Sequence, residues 1–298
     1  MELNHETAVG PVRPAATVIM LRDGEGAGMG KDGGLEVFLL KRHGSSDVLG
    51  GAYVFPGGKV DKLDTEVDMA SRIDQPASEL HTALNEPGID ALSAAGLYVA
   101  AMREAFEESG ILFARGATAE HADRATAMLR EGHGFNAVLA QMQLRLQATS
   151  LAPWSRWITP LRPSVMNKRF DTRFFVAAVP AGQVAAHDNF EATESVWLKP
   201  RAALEQHRDG LIELAPPQIM TLAHISRFGS VAHAMAEARS RKPPLIQPEP
   251  FEMDGTRVMC YPGDERHPVK ERAMPGPTRL RYRNKLFEPV EGFEALFG

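Results

Sequence analysis

Residues 96–109 read as a helix, and its C-terminal end carries charges that few folds can place without compensation. Leu97, Ala100, Ala101, Ala105 and Phe106 supply the apolar positions, and Gly110 is suited to end the helix. The end reads Arg103-Glu104-Ala105-Phe106-Glu107-Glu108-Ser109-Gly110-Ile111. At 3.6 residues per turn the three glutamates fall within an arc of about 100°. The like-charge pairs 104/108 and 104/107 each cost about 0.2–0.5 kcal/mol on an isolated helix. The macrodipole also disfavours negative charge at that end. Arg103 is one available counter-charge; a hard divalent cation with oxygen ligands is another. A solvated acidic helix face is the plain alternative.

Upstream lies Phe55-Pro56-Gly57-Gly58-Lys59-Val60-Asp61. A Gly-Gly pair lets backbone approach a ligand closely. Alone it is a turn. Taken together, the two segments resemble the two halves of the Nudix box, G-x5-E-x7-R-E-U-x-E-E-x-G-U with U apolar. Gly58 takes the first glycine position. Arg103, Glu104, Glu107, Glu108, Gly110 and Ile111 fill the second half, with a small Ala105 at an apolar position.

The chain departs from the pattern twice. The first acidic position is Asp64 rather than Glu, and 38 residues separate Asp64 from Arg103 where the pattern has seven. A box interrupted at this place resembles the coenzyme A diphosphatase subfamily of Nudix hydrolases (Nudix-type motif 19-like). Four further segments are similar to that subfamily: Trp154–Pro160, Lys168–Phe175, Ala215-Pro216-Pro217-Gln218 and Tyr261-Pro262-Gly263-Asp264. The likeness covers roughly residues 13 to 265.

The resemblance implies an α/β Nudix fold: an α/β/α sandwich with a mixed sheet. It implies a single domain over 1–298, with an insertion at about 65–95 and a C-terminal extension at about 215–298. It also implies hydrolysis of a diphosphate linkage assisted by Mg²⁺ or Mn²⁺. Coenzyme A or acyl-CoA is the leading substrate, giving 3′,5′-ADP and (acyl-)4′-phosphopantetheine. NADH, ADP-ribose and dinucleoside polyphosphates are alternatives, as is a non-catalytic nucleotide sensor. Glu104, Glu107 and Glu108 are the implied metal ligands, joined by the Gly58 carbonyl. Glu104 is alternatively the base that activates water, and Arg103 holds a box carboxylate in place. Glu194 is a second base candidate, or else a surface glutamate before a strand. Arg42, Lys168, Arg169 and Arg173 are candidate phosphate clamps, since Arg contacts phosphate oxygens in pairs. Phe55 and Gly57 complete the candidate substrate contacts. Trp154, Trp157 and Phe170 join Phe55 as candidates for stacking on adenine or for core packing.

Composition narrows the partners. Lys+Arg is 33 against 38 Asp+Glu, a formal charge of −5. A broad nucleic-acid surface would need a basic excess, so the expected partner is a small nucleotide. One cysteine, Cys260, excludes an internal disulfide and a four-cysteine metal site. No H-x-x-x-H pair suggests zinc, and most histidines are expected at the surface. The apolar runs are too short to span a bilayer, and no secretory leader is visible. These points suggest a cytoplasmic protein without membrane attachment. A homodimer stays open, as does the insertion's role: active-site cover, dimer contact or longer surface loop.

The remaining pattern reads as strands at 15–21 and 35–41 joined as a hairpin. Helical stretches follow at 118–147, interrupted near Gly132-His133-Gly134. Further strands are expected at 154–159, 172–179, 195–198 and 257–261, and helices at 200–207 and 216–228. Residues 60–95 read as loop with short helices. This mixture favours a sandwich of sheet and helices over a bundle.

Overall fold

The computed structural model describes residues 10–24, 34–46, 49–162, 168–187 and 192–298. Its centre is an eight-stranded mixed sheet. Strand β1 (Arg13–Asp23) pairs antiparallel with β2 (Leu35–Arg42). The expected hairpin connection, residues 25–33, lies outside the described residues. Strand β2 carries β3 (Tyr53–Val54) antiparallel, and the short β4 (Gly57–Lys59) returns to pair with β1. On its other edge β1 runs parallel to β6 (Phe170–Ala178), which pairs antiparallel with β5 (Leu151–Ile158). Strand β7 (Ala192–Leu198) adds to β2, and β8 (Leu245–Ile246) closes the far edge beside β5.

Alternation along the strands splits the core in two, as the two-residue period requires. Val18, Met20, Phe38, Leu40, Phe175 and Ala177 face one side. Ile19, Leu21, Val37, Leu39, Phe174 and Val176 face the other. The first side receives the insertion helices α1 (Val67–Ser71) and α2 (Ala77–Leu84), then α3 (Ala91–Ser109). Helices α4 (Ala119–Arg130) and α5 (Phe135–Gln141) follow on the same side. The second side receives α6 (Pro200–Arg208), α7 (Pro216–Ile225) and α8 (Val231–Ser240). The result is the expected sandwich of helices around a mixed sheet.

Helix α3 positions the site. It starts at Ala91, five residues before the sequence expectation, because the Asp90 side chain caps it by accepting the Ser93 N–H at 2.7 Å. It ends at Gly110, whose φ of 73° is the left-handed cap conformation. A row of alanines, including Ala94, Ala101 and Ala105, lets it sit close on the sheet. Tyr98 packs on Phe175 with ring centroids 4.6 Å apart.

The insertion is not a lengthened surface loop. Met69, Ile73, Leu80 and Leu84 are buried in the core on the α3 side. The C-terminal residues form a second sheet; the stretch after Pro244 reads as strand-like in sequence, with 257–261 its clearest strand. The sheet contains β9 (Glu249–Met253), β10 (Thr256–Cys260), β11 (Arg279–Arg283) and β12 (Leu286–Pro289), all antiparallel. Cys260 is buried in β10. Three histidines are buried: His207, His224 and His267. His207 joins α6 to β12 through the Phe287 carbonyl at 3.0 Å, and His267 reaches the Gln247 carbonyl at 2.9 Å. His224 stacks against Trp154. Among the described residues no helix is long and apolar enough to cross a membrane.

Candidate active site

The two halves of the split signature meet. Strand β4 lies along β1, with Gly58 opposite Ala16 and Gly57 opposite Thr17. A side chain at Gly57 would collide with the Ala16 carbonyl and with Thr17. A Cβ at Gly58 would stand 2.5 Å from the carboxylate of Glu104. Backbone atoms require glycine at position 57, whereas at Gly58 the close neighbour is the end of the Glu104 side chain. The Gly57 N–H donates to Glu108 Oε2 at 2.8 Å, which ties the glycine strand to the end of α3.

Arg103 organises the acidic cluster. Its Nε and Nη2 donate to the two oxygens of Asp64, each at 2.9 Å. Its Nη1 donates to Glu104 at 2.9 Å and to Glu107 at 3.0 Å. Nη2 also reaches the Lys59 carbonyl at 3.0 Å, and Asp61 stands 3.8 Å away. Burial opposes the charge on Arg103, but Asp64, Glu104 and Glu107 raise its pKa further above the ordinary arginine value. Burial raises the Glu107 pKa; Arg103 pulls it back, while Asp64 and Asp61 push it up again. Four carboxylates thus surround the Arg103 guanidinium. Hard oxygen donors with unbalanced charge suit a divalent cation. As the side chains stand, no three of the described His, Cys, Asp and Glu residues converge as a finished cage; Arg103 occupies an oxygen of both Glu104 and Glu107.

The cluster borders a cavity of about 880 Å³. Gly57, Gly58, Asp61 and Glu104 line it, whereas Glu107 and Glu108 are not among its lining residues. Arg42, Lys168 and Phe55 line it, together with Trp157 and Phe170. His43 and Thr17 are further lining residues that the sequence reading did not select. The C-terminal extension supplies Pro216, Pro217, Gln218, Pro248, Met259 and Phe287 to the wall. The segment Ala215-Pro216-Pro217-Gln218 stood out in the sequence, but only as a subfamily likeness.

Three expected site residues lie elsewhere. Arg173 is buried on the α3 side of the sheet, beside Phe175, and is no phosphate clamp. Its Nε donates to Glu86 Oε1 at 2.9 Å, its Nη1 to the Asp171 carbonyl at 2.9 Å. Glu86 belongs to the insertion and also pairs with Arg156 at 3.0 Å, while Arg156 grips Asp171 through bonds of 2.8 and 2.7 Å. Arg173 therefore fastens the insertion to the sheet. Arg169 turns its Nε to the Thr159 carbonyl at 3.1 Å. Glu194 pairs with Lys41 across β2 and β7 at 3.6 Å, away from the cavity lining. Burial, then Glu194, pushes the Tyr53 hydroxyl up to about 12. Trp154 lies in the core against His224 and Phe228.

Comparison with known proteins follows the same lines. The family model described as the NUDT19 Nudix domain matches residues 12–225. The acyl-coenzyme A diphosphatase NUDT19 of Xenopus laevis is 29% identical over 276 residues, covering 78% of this chain and 71% of that protein. The Homo sapiens protein of the same name is 25% identical over 238 residues, covering 67% of this chain and 62% of its own length. The crystal structure of a NUDIX hydrolase from Alicyclobacillus acidocaldarius superposes with a TM-score of 0.58 at 25% identity, over 79% of this chain and 99% of that one.

Proposed function

Because this chain belongs to the NUDT19 Nudix domain family and is a Nudix pyrophosphohydrolase, we propose that it cleaves the diphosphate of coenzyme A or an acyl-CoA with the help of Mg²⁺ or Mn²⁺. The products are 3′,5′-ADP and (acyl-)4′-phosphopantetheine. The observation that carries the reading is the contact of Gly58 with Glu104 at the rim of the cavity. It brings glycine backbone and carboxylate to one place, where a diphosphate and a cation would both be needed. The names of the relatives support a coenzyme A thioester or its parent thiol as the substrate class.

The residues divide the work as follows. Glu107, Glu108 and the Gly58 carbonyl would hold the ions, which supply charge neutralisation to the phosphoryl oxygens. Arg103 fixes the carboxylates by donating to Glu104 and Glu107 while anchored on Asp64. Arg42 and Lys168, on the cavity wall, face the diphosphate as monovalent counter-charges. Glu104 is the cluster glutamate that lines the cavity, so it takes the proton from the attacking water. The water oxygen bonds to one phosphorus, and the bridging P–O bond breaks with its electron pair on the departing phosphate. Alignment and charge stabilisation carry most of the catalysis in such a reaction. The cavity-lining residues beyond 215 support a single functional domain.

The test is turnover of CoA, acyl-CoA, NADH, ADP-ribose and diadenosine polyphosphates with Mg²⁺ or Mn²⁺. CoA or acyl-CoA is expected to be hydrolysed fastest. Turnover of another member with none of CoA removes the substrate assignment and leaves the reaction class. No turnover of any member favours a nucleotide sensor, which the retention of Glu104, Glu107 and Glu108 argues against.

A further inference from the structure

Gln218 is a buried polar side chain whose amide oxygen is unpaired among the described residues. It is 6% exposed and lines the cavity. Trp157, Phe174, Pro217, Met259 and Phe287 are apolar residues of the same cavity. A carboxamide oxygen withdrawn from water without a donor is unfavourable. A leucine or methionine would fill the same space without that cost.

The backbone adds a second feature. Helix α7 opens with Pro216 and Pro217, which have no N–H, so that of Gln218 is the helix's first. The first intrahelical acceptor bond runs from the Ile219 N–H to the Ala215 carbonyl at 3.0 Å. The Gln218 N–H falls in the opening turn, where donors lack an intrahelical acceptor. One residue thus brings an unpaired side-chain acceptor and a first-turn donor to the cavity wall. A neutral planar group with an N–H beside an acceptor matches both.

Building on the CoA reading, we propose that Gln218 is a specificity-determining residue whose amide oxygen accepts an N–H from the substrate. Two parts of a CoA-type molecule carry that chemistry: the amide groups of the pantetheine arm and the amino edge of adenine. The experiment separates them with the two product halves.

Binding of 3′,5′-ADP and of 4′-phosphopantetheine to the full-length protein is measured by titration calorimetry, for wild type and Gln218→Met. Steady-state kinetics with CoA and thermal melting accompany it, and Gln218→Leu is the second apolar replacement. The variants are expected to bind one half about five- to tenfold more weakly, the scale of one neutral hydrogen bond. The KM for CoA should rise by a similar factor with kcat little changed, and the melting temperature should hold or rise. The half that weakens identifies the donor. Where neither half binds measurably, the KM ratio decides. A lowered melting temperature with unchanged KM and binding would make Gln218 a packing residue and overturn the proposal. Wild-type protein inactive on CoA defeats the underlying reading; active wild type with an unchanged variant KM defeats this inference alone.

Discussion

Asp64 and Arg103 are 39 positions apart and meet through two hydrogen bonds of 2.9 Å. This pair closes the interrupted signature. The shorter Asp suffices because a 3₁₀ turn, Lys62–Thr65, carries its backbone toward α3, and Asp64 Oδ2 accepts the Asp61 N–H at 2.8 Å. Gly96 permits the crossing, since a Cβ there would lie 2.5 Å from the Thr65 side chain.

Removing Asp64 takes away the bidentate anchor of a buried guanidinium. Asp64→Ala is expected to lower stability by about 3 kcal/mol, in the range for breaking a buried pair. Turnover should fall with it, because Arg103 no longer holds Glu104 and Glu107 in register. Urea denaturation and kcat measure the two effects. Wild-type values for both would remove Asp64 from the account.

Gly58 tests close approach independently of charge. Gly58→Ala should displace the Glu104 carboxylate and reduce turnover by roughly 100-fold, as a misplacement of about 1 Å can do. The melting temperature should change little, because the glycine strand borders the cavity. Full activity in this variant would show that Glu104 need not stand where it does.

The Arg173–Glu86 pair separates anchoring from substrate contact. Glu86→Ala leaves the buried Arg173 with Asp171 as its remaining carboxylate partner, at 3.0 Å, and should cost about 3 kcal/mol. The double replacement Glu86→Leu with Arg173→Met should recover much of that loss and keep the KM for the diphosphate substrate near wild type. A large rise in KM in a well-folded double variant would return Arg173 to the substrate site.

His224 governs part of the acid sensitivity. Burial, reinforced by Arg241 and Arg227, lowers its pKa from 6.5 to about 3. A histidine depressed in the folded state contributes fully above its unfolded pKa and progressively less as pH falls toward the folded value. The window is thus about pH 6.5 down to about 3, and by pH 5 the loss is about 2 kcal/mol. His207, also lowered by burial, acts with the same sign. His224→Phe keeps the ring contact with Trp154 and should flatten the pH dependence of stability between pH 7 and 5. An unchanged slope would place the acid sensitivity elsewhere.

Residues such as Glu104 and Gly58 were legible in the sequence because their spacing belongs to a local pattern, even when interrupted. The strands around Val18, Val37 and Val176 were legible through β-branched and apolar runs. Arg173 was misread because alternation assigns two residues to a face without saying which layer covers it. Glu86, its partner, comes from an insertion whose packing no local pattern reveals. The burial of His207 and His224 was not legible for a related reason: a histidine's burial depends on distant carbonyls and rings. Gln218 was visible only as part of a likeness, since an unsatisfied oxygen is a property of three dimensions. The second sheet was legible only in part because its strands are short and broken by prolines.

The most direct test of the central claim is the kcat of Glu104→Gln against wild type on CoA, with Mg²⁺ or Mn²⁺ present and after chelation. The account predicts divalent-dependent hydrolysis in wild type and a loss of roughly 100- to 1,000-fold in the variant, with the melting temperature preserved. Hydrolysis that survives chelation, or a variant with near-normal turnover, would contradict it.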